Sequence, residues 1–134
     1  MTLNRTYHAD NTMPKGRDTV FVFGSNLAGR HGKGAAKAAH VNFSARYGVG
    51  KGRTGMAYAI PTKDGRLQTL ALEQISQHVS DFLAYARAHP QIKFFVTRIG
   101  CGLAGHEDQD IAPMFLSAPA NCSLPLPWKS ILEA

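Results

Sequence analysis

Two glycine-rich loops in this chain each follow directly on a short run of β-branched and aromatic residues. That arrangement constrains the fold more than any other feature of the sequence. Thr19-Val20-Phe21-Val22-Phe23 reads as a buried strand that stops at Gly24. The loop behind it is Gly24-Ser25-Asn26-Leu27-Ala28-Gly29-Arg30-His31-Gly32-Lys33-Gly34. A helix rich in small residues is expected over 35–47, and 48–53 reads as a flexible connector. Residues 56–60 form a second strand closed by Pro61. Leu72, Ile75, Val79, Phe82, Leu83 and Ala86 recur at helical spacing, which predicts an amphipathic helix over 72–88 ended by His89-Pro90. Residues 92–99 form a third strand, and Gly100-Cys101-Gly102-Leu103-Ala104-Gly105 is the second glycine loop. A short helix follows, capped by Asp110 and running to Ser117, with Pro113 in its first turn. Residues 121–124 read as an edge strand. Such alternation predicts an α/β domain whose crossovers make the strands largely parallel. Ligands then sit beyond the carboxyl ends of the strands, where both glycine loops lie.

With 134 residues there is room for one domain, placed at 18–134, after a polar lead-in over 1–17 that looks loosely attached. No apolar run approaches the ~20 residues of a membrane span. Residues 1–10 lack the basic-then-apolar order of a secretion signal. Two cysteines, Cys101 and Cys122, are too few for a disulfide scaffold and have no zinc spacing. A reduced, cytoplasmic protein without metal or cofactor is expected.

The net charge is +6, and its distribution matters more. No Asp or Glu lies between Asp18 and Asp64, a stretch that holds Arg30, Lys33, Lys37, Arg46, Lys51, Arg53 and Lys63. Such a stretch favours a polyanionic partner, or is a solvated basic face.

The first loop can serve as a diphosphate cradle, with backbone N–H groups and the next helix's positive end aimed at the ligand. Its alternative role is a tight strand-to-helix turn. It is no P-loop, because no Gly-Lys-Ser/Thr stands at the required spacing. Asn26 can both donate to and accept from a ribose hydroxyl, or close an Asx turn. The second loop offers further backbone contact with an anion. Cys101 reads as a packing residue. His106, Glu107, Asp108 and Asp110 read as helix-capping, solvated residues that could instead polarise a water. Lys63 falls just past the second strand, as a surface lysine, a phosphate contact or a nucleophile.

Gly32-Lys33-Gly34-Ala35-Ala36 after Asn26, then Ala59-Ile60-Pro61-Thr62-Lys63, then Arg98-Ile99-Gly100-Cys101-Gly102-Leu103, in that order, resemble the macrodomain family. Within it they are most similar to the branch of the terminal ADP-ribose protein glycohydrolases and the DarG-type antitoxins, which remove ADP-ribose from DNA. The resemblance runs over 20–115. It implies a three-layer α/β/α domain with a mixed, mostly parallel sheet and an ADP-ribose cleft over the strand ends. It implies that Gly24, Ser25 and Asn26 lead to the distal ribose, and that Gly32, Lys33, Gly34 and Ala35 line the ribose and pyrophosphate. Gly100, Cys101, Gly102, Leu103, Ala104 and Gly105 would form the opposing phosphate loop. Lys63 matches the lysine that attacks the anomeric carbon. Ala104 departs from the protein glycohydrolases, which have an aspartate there, and Ala104-Gly105 is closer to the DarG-type loop. Lys63 is thereby left without an assigned acid. Asp18 is the candidate for the adenine-side acid by position alone.

Three functions follow as expectations. The first is an ADP-ribosyl hydrolase acting on an ADP-ribosylated protein, DNA or small molecule. The second is a non-catalytic module for ADP-ribose or another NAD-derived nucleotide. The third is a basic nucleic-acid-binding protein, against which stands the scarcity of aromatics among the basic residues, only Phe43 and Tyr47 lying between Arg30 and Arg53.

Overall fold

A computed structural model describes residues 5–134, so the first four residues of the lead-in lie outside the described residues. The strands are β1 (Thr6–His8), β2 (Thr19–Asn26), β3 (Gly52–Thr54), β4 (Ala57–Lys63), β5 (Lys93–Val96) and β6 (Cys122–Pro125). They form one sheet in the order β1-β6-β5-β2-β4-β3. All neighbours are parallel except β3, which runs antiparallel to β4 at one edge. The helices are α1 (Gly34–Asn42), α2 (Leu72–Ala88), α3 (Asp108–Ile111) and α4 (Lys129–Leu132).

Helices cover both faces, as in a three-layer α/β/α domain. On one face Ile75, Val79, Phe82, Leu83 and Ala86 of α2 pack with Val20, Val22, Ile60, Phe94 and Val96 of the strands. Phe115, Leu124 and Trp128 extend this core towards the carboxyl end. On the other face α1 presents Ala36 and Ala39 to Phe21, Phe23, Ala57, Ala59 and Phe95. Alanines let α1 lie close on the sheet, and its first turn lines the cavity beside the loops that follow the strands.

The helix over 72–88 has the bounds its periodicity predicts. Other expectations are corrected by pairings between distant segments. Part of the 1–17 lead-in is β1, paired in parallel with β6 through Tyr7 and Leu124. β6 is therefore interior to the sheet and not an edge strand. The flexible connector over 48–53 runs into β3 at Gly52, and β3 pairs with β4 from Gly52–Ala59 to Thr54–Ala57. β2 does not stop at Gly24 but continues to Asn26. β4 is not closed by Pro61, because that residue lies past the end of the β3 ladder, where a missing N–H costs no pairing on that side. Helix α1 ends at Asn42 and not near Tyr47. Phe43 and Ala45 both donate to the Ala39 carbonyl, and Ser44 between them is left-handed at φ 60°. The capping residue of α3 is Glu107, and the predicted short helix splits into α3 and a 3-10 turn over Ala112–Phe115.

Among the described residues, no helix is long and apolar enough to cross a membrane. No group of three or more His, Cys, Asp or Glu is placed to hold a metal ion.

Candidate functional site

Beyond the carboxyl ends of β2, β4 and β5 lies a cavity of about 880 Å³. Gly24, Ser25, Asn26, Gly32, Lys33, Gly34, Ala35, Lys63, Gly100, Cys101, Gly102, Leu103 and Ala104 all line it. Gly105 does not. It closes a turn by donating to the Gly102 carbonyl at 3.0 Å. Three segments distant in sequence thus meet at one rim.

The first loop is held by its own amide side chain. Asn26 Nδ2 donates to the Arg30 carbonyl at 2.9 Å, and Arg30 N donates back to Asn26 Oδ1 at 3.0 Å. This reciprocal pair is the Asx-type role. It leaves one N–H and one lone pair of the amide for a ligand. Beneath the loop runs the backbone of residues 46–50. Gly48 N donates to Gly29 O at 2.8 Å, and the Ser25 hydroxyl donates to Gly50 O. A Cβ on Gly29 would lie 2.2 Å from Gly48 C, and one on Gly50 would lie 2.0 Å from Asn26 O. Only glycine permits this backbone-on-backbone packing. His31 is buried, and its Nε2 hydrogen bonds with the Arg46 carbonyl at 3.0 Å. The connector is therefore a floor for the ligand loop.

Lys63 reaches the cavity through an irregularity in the sheet. The register runs Ser25–Pro61 and then Asn26–Lys63, so Thr62 is an extra residue in β4. Thr62 turns inward and donates to the Ser25 carbonyl at 3.2 Å. After Lys63 the chain folds back, with Lys63 bridged to Thr69 and the Asp64 carboxylate accepting from Arg66 N and Gln68 N. Thr69 Oγ1 donates to the Ala104 carbonyl at 2.8 Å, which ties this hairpin to the second loop.

The second loop approaches the first from across the cavity. A Cβ on Gly34 would lie 3.5 Å from Leu103 Cδ1, so the exposed Leu103 spans the gap. Burial, then the neighbouring Asp108, pushes the Cys101 thiol up to about 12. Such a thiol is a poor nucleophile at neutral pH and acts as packing. His106, Glu107, Asp108 and Asp110 do not line the cavity. His106 hydrogen bonds with the Leu70 carbonyl, and the acids start α3.

Sequence reasoning missed the remaining walls. Residues 8–13 contribute one, with the His8 ring stacked 3.6 Å from that of Phe95. Burial lowers the pKa of His8 below its ordinary 6.5, which favours the neutral ring. Tyr47 adds another, set edge-on to His31 and His40. Asp18 is exposed and lies off the cavity wall; the carboxylate on the wall is Asp10. Asp10 pairs with Arg98 at 2.9 Å. Arg30, Lys33 and Lys63 also line the cavity, and none joins an ion pair among the described residues. The cavity is therefore electropositive and suits an anionic ligand.

No protein-family model matches the chain, and no curated protein sequence matches it. Solved structures do. The macrodomain of Mycobacterium tuberculosis DarG is similar with a TM-score of 0.67 at 18% identity, over 92% of this chain and 98% of that one. A protein of unknown function from Bacteroides thetaiotaomicron is similar with a TM-score of 0.63 at 18% identity, over 93% and 99%. An alphavirus chain described as P23pro-zbd is similar with a TM-score of 0.67 at 15% identity. That match takes in 98% of this chain but 23% of that one. Likeness at this identity speaks for architecture, and the order of the sheet and the layering of the helices agree with it: the chain has the macrodomain fold.

Proposed function

We propose that the cavity binds ADP-ribose and that the protein is an ADP-ribosyl hydrolase. The observation that carries this reading is the convergence of Asn26, Lys63 and the two glycine loops on one electropositive cavity of about 880 Å³. The glycine loops supply backbone N–H groups for the diphosphate, with Arg30 and Lys33 adding positive charge. Asn26 uses its remaining donor and acceptor on the distal ribose. Lys63, directly across the sheet from Asn26, is then beside the anomeric carbon.

Once its ammonium has given a proton to solvent, the Lys63 amine attacks that carbon. The bond to the carrier breaks, and the carrier departs with the electron pair and takes up a proton. Ring opening gives an imine between Lys63 and the ribose, which water hydrolyses to release ADP-ribose and regenerate the amine. Incubation with ADP-ribose followed by borohydride reduction and intact-mass measurement tests this step. A mass increase lost in Lys63→Ala supports it. No increase, or one that survives Lys63→Ala, removes it.

A second reading is binding without turnover, and one observation favours it. Asp10 is the sole carboxylate lining the cavity among the described residues, and Arg98 holds it. Asp64 is occupied by its own turn, and Ala104 stands where the protein glycohydrolases have an aspartate. On this reading ADP-ribosylated protein, DNA and small-molecule substrates all remain intact after incubation. Released ADP-ribose decides for the hydrolase, and the substrate that yields it identifies the carrier.

A further inference from the structure

The second glycine loop is closed on itself by Gly105 N donating to Gly102 O at 3.0 Å and His106 N donating to Gly100 O at 2.7 Å, but these bonds do not fix where it stands relative to the 8–13 wall. Gly100 and Gly105 are both left-handed, and Gly102 has open space around it. A backbone of this kind loses much freedom on being ordered, and a ligand that must order it binds less tightly. Arg98 stands at the base of this loop. Its Nε and Nη2 donate to Asp108 Oδ1 and Oδ2 at 3.0 and 2.8 Å, a two-pronged contact just beyond the loop's far end. Asp108 Oδ1 also accepts from the indole of Trp128 at 2.7 Å, which fixes the carboxylate to the buried core. The third prong, Nη1, donates to Asp10 Oδ2 at 2.9 Å. Asp10 belongs to the 8–13 wall of the cavity.

One guanidinium therefore joins both ends of the second loop to the 8–13 wall. Only a planar fork can do this; a lysine makes a point contact. The cluster sets one positive charge against two negative ones. It offers a diphosphate no net attraction, so its contribution is to geometry. Resting on the ADP-ribose reading of the cavity, we propose that Arg98 is a positioning residue. Through Asp108 it presets residues 100–104, and through Asp10 it presets residues 8–13, so that both walls are in place before the ligand arrives.

Calorimetric titration of ADP-ribose and of ADP into the wild type, Arg98→Lys and Asp10→Asn tests this, with thermal melts confirming that each variant is folded. Arg98→Lys keeps the charge and loses the fork. It is expected to weaken both ligands by at least tenfold and to the same degree, because both carry the diphosphate. Asp10→Asn removes a negative charge from the cavity wall, so electrostatics alone makes binding tighter, whereas loss of positioning makes it weaker. Weaker binding of both ligands by Asp10→Asn supports the proposal, including where Arg98→Lys fails to fold. Wild-type binding matched within twofold by the folded variants, or tightened in Asp10→Asn, overturns it. A wild type that takes up neither ligand overturns the ADP-ribose reading itself, and this inference with it.

Discussion

Asn26 and Lys63 face each other across β2 and β4 because Thr62 is one residue too many for a regular ladder. In a regular register Thr62 would stand opposite Asn26, and Lys63 would fall one position further along the chain, with its side chain on the other face. The bulge brings an amide and an amine together at the strand ends, and the Thr62 hydroxyl anchors it to the Ser25 carbonyl.

Replacing Asn26 tests how the first loop is closed. Asp at this position still accepts from Arg30 N but cannot donate to the Arg30 carbonyl, which then faces a carboxylate. Asn26→Asp is expected to cost roughly 1–3 kcal/mol of stability by denaturant unfolding. ADP-ribose affinity is expected to fall with it.

Gly50→Ala tests the floor beneath that loop. The added methyl would lie 2.0 Å from Asn26 O, and backbone on both sides leaves it nowhere to go. The expected destabilisation is about 3 kcal/mol, read as a lower urea midpoint. Gly65→Ala is the control, since nothing lies within 4 Å of its Cβ. It leaves the midpoint near that of the wild type.

Phe82→Ala tests the α2 face of the core. Phe82 is fully buried and meets the rings of Tyr58, Phe94 and Phe115. Removing it is expected to cost about 3–5 kcal/mol.

Stability is expected to fall with acid in two stages. Burial lowers the pKa of His8 below its ordinary 6.5, so the unfolded chain binds the proton first. Stability is full above 6.5 and is lost as the pH falls from there through the folded-state value. The hydrogen bonds from Arg98 lower the pKa of Asp108 below 3.8. Its contribution is present above 3.8 and is lost as the pH falls through its folded-state value. Urea unfolding across pH 3–8 checks this. Asp108→Asn is expected to be less stable at pH 6 and to lose less between pH 6 and 3. An unchanged acid slope in that variant contradicts the assignment.

The sequence carried the parts of this molecule that are encoded locally. The helical period of Leu72 to Ala86 marks α2, and the two glycine strings mark the loops that meet over the sheet. What stayed hidden depends on partners far along the chain. Three residues at Thr6–His8 have no strand signal of their own, and their ladder comes from β6, more than a hundred residues later. The 8–13 wall arrives with that pairing. Tyr47 reaches the cavity because Ser44 turns the chain out of α1, and a left-handed serine has no reliable mark in sequence. The bulge at Thr62 is equally silent, although Lys63 depends on it.

Isothermal titration of ADP-ribose into the wild-type protein and into Asn26→Asp tests the central claim most directly. The account predicts saturable one-to-one binding by the wild type and markedly weaker binding by the variant. No heat with the wild type, or equal affinity in both proteins, would contradict it.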